Sequence, residues 1–257
     1  MRVLCIGDVV GSRGCNFVRE KLPQLKKFYS IDAVICNGEN SADGNGILPV
    51  SADSLFASGV DVITLGNHAF RRREIYSYLD ESPFIIRPAN YPDSTTPGSG
   101  KCVLDMGRFR MTVVNLCGNV YSQDALDCPF KTMDRILKEA DTKIVIVDFH
   151  AEATGEKLAL AHYLDGRVSA IFGTHTHVQT ADEQILPSGT GYITDVGMTG
   201  ATNSVLGVKS EIIIEKLKDK LPVRFEISEE PYKLDGVIFD IDNTSGKCTG
   251  VERISVK

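Results

Sequence analysis

Asp8, Glu39, Asn40, Asn67, His150, His175 and His177 carry oxygens and ring nitrogens that suit borderline and hard divalent cations. Each stands in a short polar segment directly after an apolar run. Residues 3–6 lead to Asp8, 33–36 to Asn37-Gly38-Glu39-Asn40, and 62–65 to Gly66-Asn67-His68. Residues 144–147 lead to Asp148-Phe149-His150, and 170–172 to Gly173-Thr174-His175-Thr176-His177. If the runs are parallel strands, their carboxyl ends open on one crevice, and distant stretches of sequence build a single site. Seven donors exceed what one tetrahedral ion takes, so two ions sharing Glu39 or a bridging water are more economical. His175 and His177, two apart in an extended segment, face the same side. A turn at Gly38 lets the adjacent Glu39 and Asn40 reach the same site. With only Asp8 and Glu39 negative, a pair of divalent ions keeps the centre electropositive. Such a centre favours an anionic, phosphate-like substrate and stabilises displacement at phosphorus. A histidine alone is more often a satisfied or surface residue; recurrence at strand ends and the His-x-His spacing single these out. His162, inside a helical pattern, is read as structural.

The elements that position these residues follow from apolar periodicity. The first half alternates short apolar runs, polar turns and amphipathic stretches, which is βαβ grammar. Strands are expected at 3–6, 33–36, 60–65, 111–116, 144–148, 168–172 and 192–195, and helices at 17–28, 51–58, 72–79, 131–140 and 156–164. After about Gly207 the β-branched runs 208–217, 222–227, 234–241 and 251–256 read as antiparallel strands. Residues 88–100, rich in Pro and Gly, read as a loop with room for a small cap on a single domain spanning 1–257.

Net charge −6 and a 24% share of charged residues argue against a long nucleic acid as partner, which needs clustered Lys and Arg. Arg71-Arg72-Arg73, the one dense basic run, follows a candidate site segment and reads first as a solvated face, with substrate contact as the alternative. Seven cysteines without a CxxC pair fit reduced thiols. The chain begins Met1-Arg2-Val3 and enters a strand, with no signal peptide or apolar stretch of membrane-spanning length, from which a cytoplasmic location is expected.

The ordered set Gly7-Asp8-Val9-Val10-Gly11, Asn37-Gly38-Glu39-Asn40, Gly66-Asn67-His68, Asp148-Phe149-His150-Ala151-Glu152-Ala153-Thr154, Gly173-Thr174-His175-Thr176-His177 and Asp195-Val196-Gly197-Met198-Thr199-Gly200 resembles the calcineurin-like metallophosphoesterase superfamily. It resembles most closely that superfamily's YmdB-like phosphodiesterase branch, over nearly the whole chain. The superfamily's first Asp-x-His reads Asp8-Val9-Val10 here, and its bridging Asp is Glu39. Asn40 stands in for the ligand missing at Val10.

The resemblance implies a layered α/β fold with mixed β-sheets packed face to face and flanked by helices. It implies one ion on Asp8, Glu39, Asn40 and His177, a second on Glu39, Asn67, His150 and His175, with Glu39 as the bridge and His68 outside as general acid. The implied reaction is hydrolysis of small phosphodiesters such as 2',3'-cyclic nucleotides, by in-line attack of a metal-bound hydroxide. Iron, with manganese as a substitute, and a homo-oligomer are implied in the same way. A regulatory protein that binds a phosphorylated ligand or metal without turnover is the alternative; His68, surplus to a metal count, separates the two. Two other readings are weak. Residues 237–244 look like a dehalogenase-type phosphatase nucleophile motif around Asp240, but too little chain follows to supply its partners. An amidohydrolase barrel would carry its His-x-His at the first strand.

Overall fold

Alternation within single strands dictates the layering. In residues 3–6, Val3 and Cys5 turn to one buried cluster and Leu4 and Ile6 to another, so this strand needs apolar cover on both faces. The computed structural model describes all residues except 93, 94, 123 and 230. Its first stretch runs β1 (Arg2–Ile6), β2 (Asp8–Val9), α1 (Gly11–Phe28), β3 (Ala33–Asn37), α2 (Pro49–Ala57), β4 (Val62–Thr64), α3 (Ile75–Glu81) and β5 (Ile85–Ile86). There follow β6 (Lys101–Asp105), β7 (Arg110–Cys117), α4 (Pro129–Glu139), β8 (Ile144–His150), α5 (Thr154–Leu164), β9 (Ala170–Thr174), β10 (Gln184–Ile185) and β11 (Gly191–Ile193). The last are β12 (Met198–Ala201), α6 (Ser210–Asp219), β13 (Tyr232–Ile241) and β14 (Cys248–Val256).

One sheet has the order β2-β12-β13-β1-β3-β4-β5, with β14 also on β13; the other runs β10-β11-β9-β8-β7-β6. Val3, Cys5, Ile35 and Val62 of the first meet Val113, Ile146 and Phe172 of the second in the central core. Val18, Leu22 and Leu55 cover the first sheet's outer face, and Met133, Ile136 and Leu160 the second's. The result is four layers, helix, sheet, sheet and helix, as the resemblance implies. β1, β3 and β4 are mutually parallel, as are β7, β8 and β9. The segments after β1, β3, β4, β8 and β9 therefore emerge at one rim of the sandwich. Residues 88–100, of which 93 and 94 lie outside the described residues, connect β5 of one sheet to β6 of the other.

Two expectations for the C-terminal part are corrected. Residues 208–217 do not form a strand: α6 occupies most of them. Glu211 in its first turn and Lys216 and Lys218 in its last complement the helix dipole, and the Glu, Lys and Leu content outweighs the β-branched Ile212-Ile213-Ile214. Residues 222–227 contribute only an isolated bridge, Val208 to Ile227. The pair 234–241 and 251–256 is antiparallel as expected, with Phe239 opposite Val251.

Asp240 lies opposite Arg2 in the register of β1 and β13, at the far end of β1 from Asp8, and accepts from Arg2 Nε at 2.8 Å. Beyond it Gly246 N donates to Asp242 O at 2.8 Å, closing the turn into β14. Asp240→Asn is expected to leave phosphodiester hydrolysis within about twofold of wild type, because it only weakens a part-exposed ion pair. A steady-state assay checks this.

Candidate metal centre

Gly66 and Gly38 bring the strand ends together. A Cβ at Gly66 would overlap His150 and Glu39, and one at Gly38 would press on Ile63 at 2.8 Å. Gly38 thus serves by leaving space rather than through a left-handed backbone, and the turn after it closes by Ser41 N donating to Gly38 O at 3.1 Å.

Around His150 Nε2 lie Asn67 Oδ1 at 2.9 Å, His175 Nδ1 at 3.0 Å and Glu39 Oε1 at 3.3 Å. Donors on one tetrahedral ion, bound at their usual lengths, stand about 3.4 Å apart, so these four groups fit a cation. Around Glu39's other neighbours lies a second cluster. His177 Nε2 is 3.5 Å from Asp8 Oδ1 and 3.3 Å from Asn40 Nδ2, and Asn40 Nδ2 donates to Glu39 Oε1 at 2.9 Å. Asp8 Oδ1 is buried without any hydrogen-bond partner, an arrangement that costs free energy unless a cation meets it. Asn40 is the one expected ligand that turns its nitrogen inward; a half-turn of the amide, which preserves its shape, presents Oδ1 instead.

The outer ring nitrogens support the same reading. His177 Nδ1 donates to Leu206 O at 3.1 Å, and His175 Nε2 faces Glu152 Oε2 at 3.1 Å. Thr174 Oγ1 gives its proton to Asp148 at 2.7 Å and so receives one from His150 Nδ1 at 2.9 Å. In its neutral form each histidine would thereby point a lone pair at the clusters, as metal-bound histidines do. His175 and His177 are not extended, contrary to expectation: both have positive φ, 102° and 63°. Lys157 Nζ holds this turn by donating to Thr174 O and Asp195 Oδ2, both at 2.8 Å, and Asp195 Oδ2 also accepts from Thr176 N at 3.1 Å. Sequence reasoning places Asp148, Glu152, Thr174 and Asp195 inside the family-like motifs without giving any of them a role, and it does not single out Lys157. Asp148, Glu152 and Thr174 also sit within two residues of an expected ligand, a second signal that could mark them.

As protein groups alone, the clusters are electrostatically tense. Burial resists charge on His150, but Glu39 and Asp8 outweigh it and lift its pKa to about 9. Burial and the neighbouring His150 hold His175 down at about 4. Burial would raise Glu39 and Asp8, yet the facing histidines keep both below the usual carboxyl range. A cation bound at this cluster would compete with a proton for His150, so its affinity would weaken as pH falls. Chelator-stripped protein is expected to release about one proton or more when manganese is added near neutral pH. A pH indicator reads this, and the absence of release would remove His150 from the ligands.

His68 stands beside both clusters, its Nδ1 2.9 Å from Asn40 Oδ1 and 3.2 Å from Glu39 Oε1. Two clefts meet there. A cavity of about 650 Å³ is lined by Asn67, His68, Phe70, Arg71, Tyr91 and Tyr121. A second, of about 380 Å³, runs from Asn40, His68 and His177 to Leu206, Ile213 and Phe225. The basic run is more than a solvated face: Arg71 lines the larger cleft, and Arg72 donates to Asp43 O at 2.7 Å and Asn45 O at 3.1 Å.

Residues 4–254 match the model of the family described as YmdB-like protein. A Bacillus subtilis (strain 168) protein named 2',3'-cyclic-nucleotide 2'-phosphodiesterase is 48% identical, over 100% of this chain and 97% of its own length. The crystal structure of a novel phosphatase from Mycoplasma pneumoniae superimposes with a TM-score of 0.94 at 35% identity, covering 100% of this chain and 93% of that one. A hypothetical protein from Thermus thermophilus gives 0.93 at 42% identity, over 99% and 98% of the two chains.

Proposed function

The chain belongs to the YmdB-like protein family, and from that premise we propose that it hydrolyses 2',3'-cyclic nucleotides at a two-metal centre. Phosphodiester hydrolysis is the activity named for the Bacillus subtilis relative; the ligands, the proton donor and the substrate are our reading. Asp8, Glu39, Asn40 and His177 would hold one ion, and Glu39, Asn67, His150 and His175 the other. Iron would occupy the sites, with manganese as a substitute. Support comes from the orphaned Asp8 Oδ1 and from three histidines whose outer nitrogens are all engaged. When bound, the ions polarise the phosphoryl oxygens and make water acidic enough to attack near neutral pH.

The protein's own groups do the rest. Asn67, fixed at His150, and the Glu39 bridge set the spacing of the centre. Arg71, in the larger cleft, supplies a counter-charge to the phosphate. His68 carries the functional conclusion. It is 20% exposed by side chain, its Nδ1 is anchored on Asn40, and Nε2 is left to move a proton. That nitrogen delivers a proton to the departing ribose oxygen, which is a poor leaving group as an alkoxide.

The reading extends to a cytoplasmic location and to self-association; among the described residues no helix is long and apolar enough to cross a membrane. Protein of measured metal content is expected to turn over 2',3'-cyclic AMP faster than monoesters or amides in a substrate panel. Metal-loaded protein inert towards every phosphodiester would sink the proposal and favour a binding protein.

A further inference from the structure

The smaller cleft has no occupant in the reaction proposed above. A cyclic nucleotide carries a single organic group, since both ester oxygens belong to one ribose, and the larger cleft suits it: Phe70, Tyr91 and Tyr121 offer ring faces and Arg71 a fork of donors. The smaller cleft has a different character. Away from the centre its walls are Val10, Leu206, Ile213, Phe225 and Ile227, contributed by the start of α1, the loop before α6, α6 itself and the segment after it. These elements are tied to one another. Val208 bridges to Val205 and Ile227, and Lys216 Nζ lies 4.5 Å over the Phe225 ring. No residue of α6 is fully buried, yet Ile213 is half-buried towards the cleft. Both clefts include His68, Glu152 and His175, so they meet at the reacting centre.

We infer that the protein also hydrolyses acyclic phosphodiesters in which one ester group is an apolar alkyl chain, that chain lying in the cleft walled by Ile213, Phe225 and Leu206. The inference rests on the two-metal phosphodiesterase reading and adds a substrate class to it. Water adds across one P–O ester bond: a new P–O bond forms, the ester bond breaks, and the departing oxygen leaves with a proton as an alcohol. A phosphomonoester remains.

The test uses metal-loaded full-length protein and thymidine 3'-alkyl phosphates from methyl to hexyl, with products separated by chromatography and 2',3'-cyclic AMP assayed in the same preparation. The value of kcat/KM is expected to rise about threefold per added methylene until the cleft is filled. Ile213→Asn and Phe225→Asn, at half-buried positions, are expected to flatten that rise to about twofold across the whole series, because the wall no longer rewards apolar contact. A flat series in wild type that still cleaves 2',3'-cyclic AMP overturns the inference and leaves the parent reading standing. Turnover of neither substrate removes both. A flat series together with Ile213→Asn dissociating an oligomer in sedimentation would assign these apolar walls to a contact between copies, which also overturns it.

Discussion

Glu39→Gln is expected to empty the centre of metal and to lower phosphodiester turnover by ~10³-fold or more, since no other group here makes water a nucleophile near neutral pH. Glu39 is 1% exposed and its carboxylate serves both clusters. Oε1 lies 3.3 Å from His150 Nε2 and 3.2 Å from His68 Nδ1, and accepts from Asn40 Nδ2 at 2.9 Å; Oε2 accepts from His68 N at 3.0 Å. Glutamine keeps the volume but replaces one acceptor by a donor and removes one of the two negative charges proposed to face the ions. Asp8 alone would then balance the two proposed cations, and neither proposed site would keep its shared ligand. Glu39 is also the chief group that raises the His150 pKa against burial, so its loss lowers that pKa in the metal-free protein. Metal analysis of the purified variant, with circular dichroism to verify the fold, checks the result. Two ions retained at wild-type affinity would show that Glu39 is not the bridge.

The parts of this architecture legible in the sequence are those governed by a repeating local rule. Val3-Leu4-Cys5-Ile6 and Ile144-Val145-Ile146-Val147 are apolar at every position, which forces a strand covered on both faces. The polar residues after each run then fall at one rim because parallel strands share a direction. That logic finds Asp8, Glu39, Asn67, His150 and the His-x-His segment without any knowledge of sheet order. It does not find partners whose role depends on side-chain direction. Lys157 looks like one more charge in an amphipathic helix, yet it is buried, and its ammonium ties Thr174 to Asp195 under the two histidines. Glu152 looks like a surface acid, and only the turn after β8 places it on His175.

The positive φ of His175 and His177 is equally hidden. Non-glycine residues seldom adopt that conformation, so spacing alone suggests an extended segment, whereas tertiary support from Lys157 and Asp195 holds a turn. Helix α6 escapes the sequence for the opposite reason. Three consecutive isoleucines carry a strand signal, but the flanking Glu and Lys residues carry a helical one. The local competition is settled by termini and charge placement rather than by the apolar trio.

His68→Ala is expected to keep both ions and to lose about 10²- to 10⁴-fold in kcat on 2',3'-cyclic AMP, the range for removal of a positioned proton donor. Retention of metal follows from geometry. His68 meets Glu39 and Asn40 from outside, and the alanine variant still has the backbone N–H that donates to Glu39 Oε2 at 3.0 Å. A loss of activity by itself would not separate proton delivery from a role in holding Asn40, so the choice of leaving group decides. A ribose hydroxyl must be protonated as it departs, whereas p-nitrophenolate leaves readily as an anion. The loss with bis-p-nitrophenyl phosphate is therefore expected to be at least about tenfold smaller than with the cyclic nucleotide. His68→Gln, which can still contact Asn40 but cannot deliver a proton near neutral pH, should show the same split as alanine. Equal losses on both substrates, with partial rescue by glutamine, would instead make His68 a support for Asn40 and leave the proton to another group.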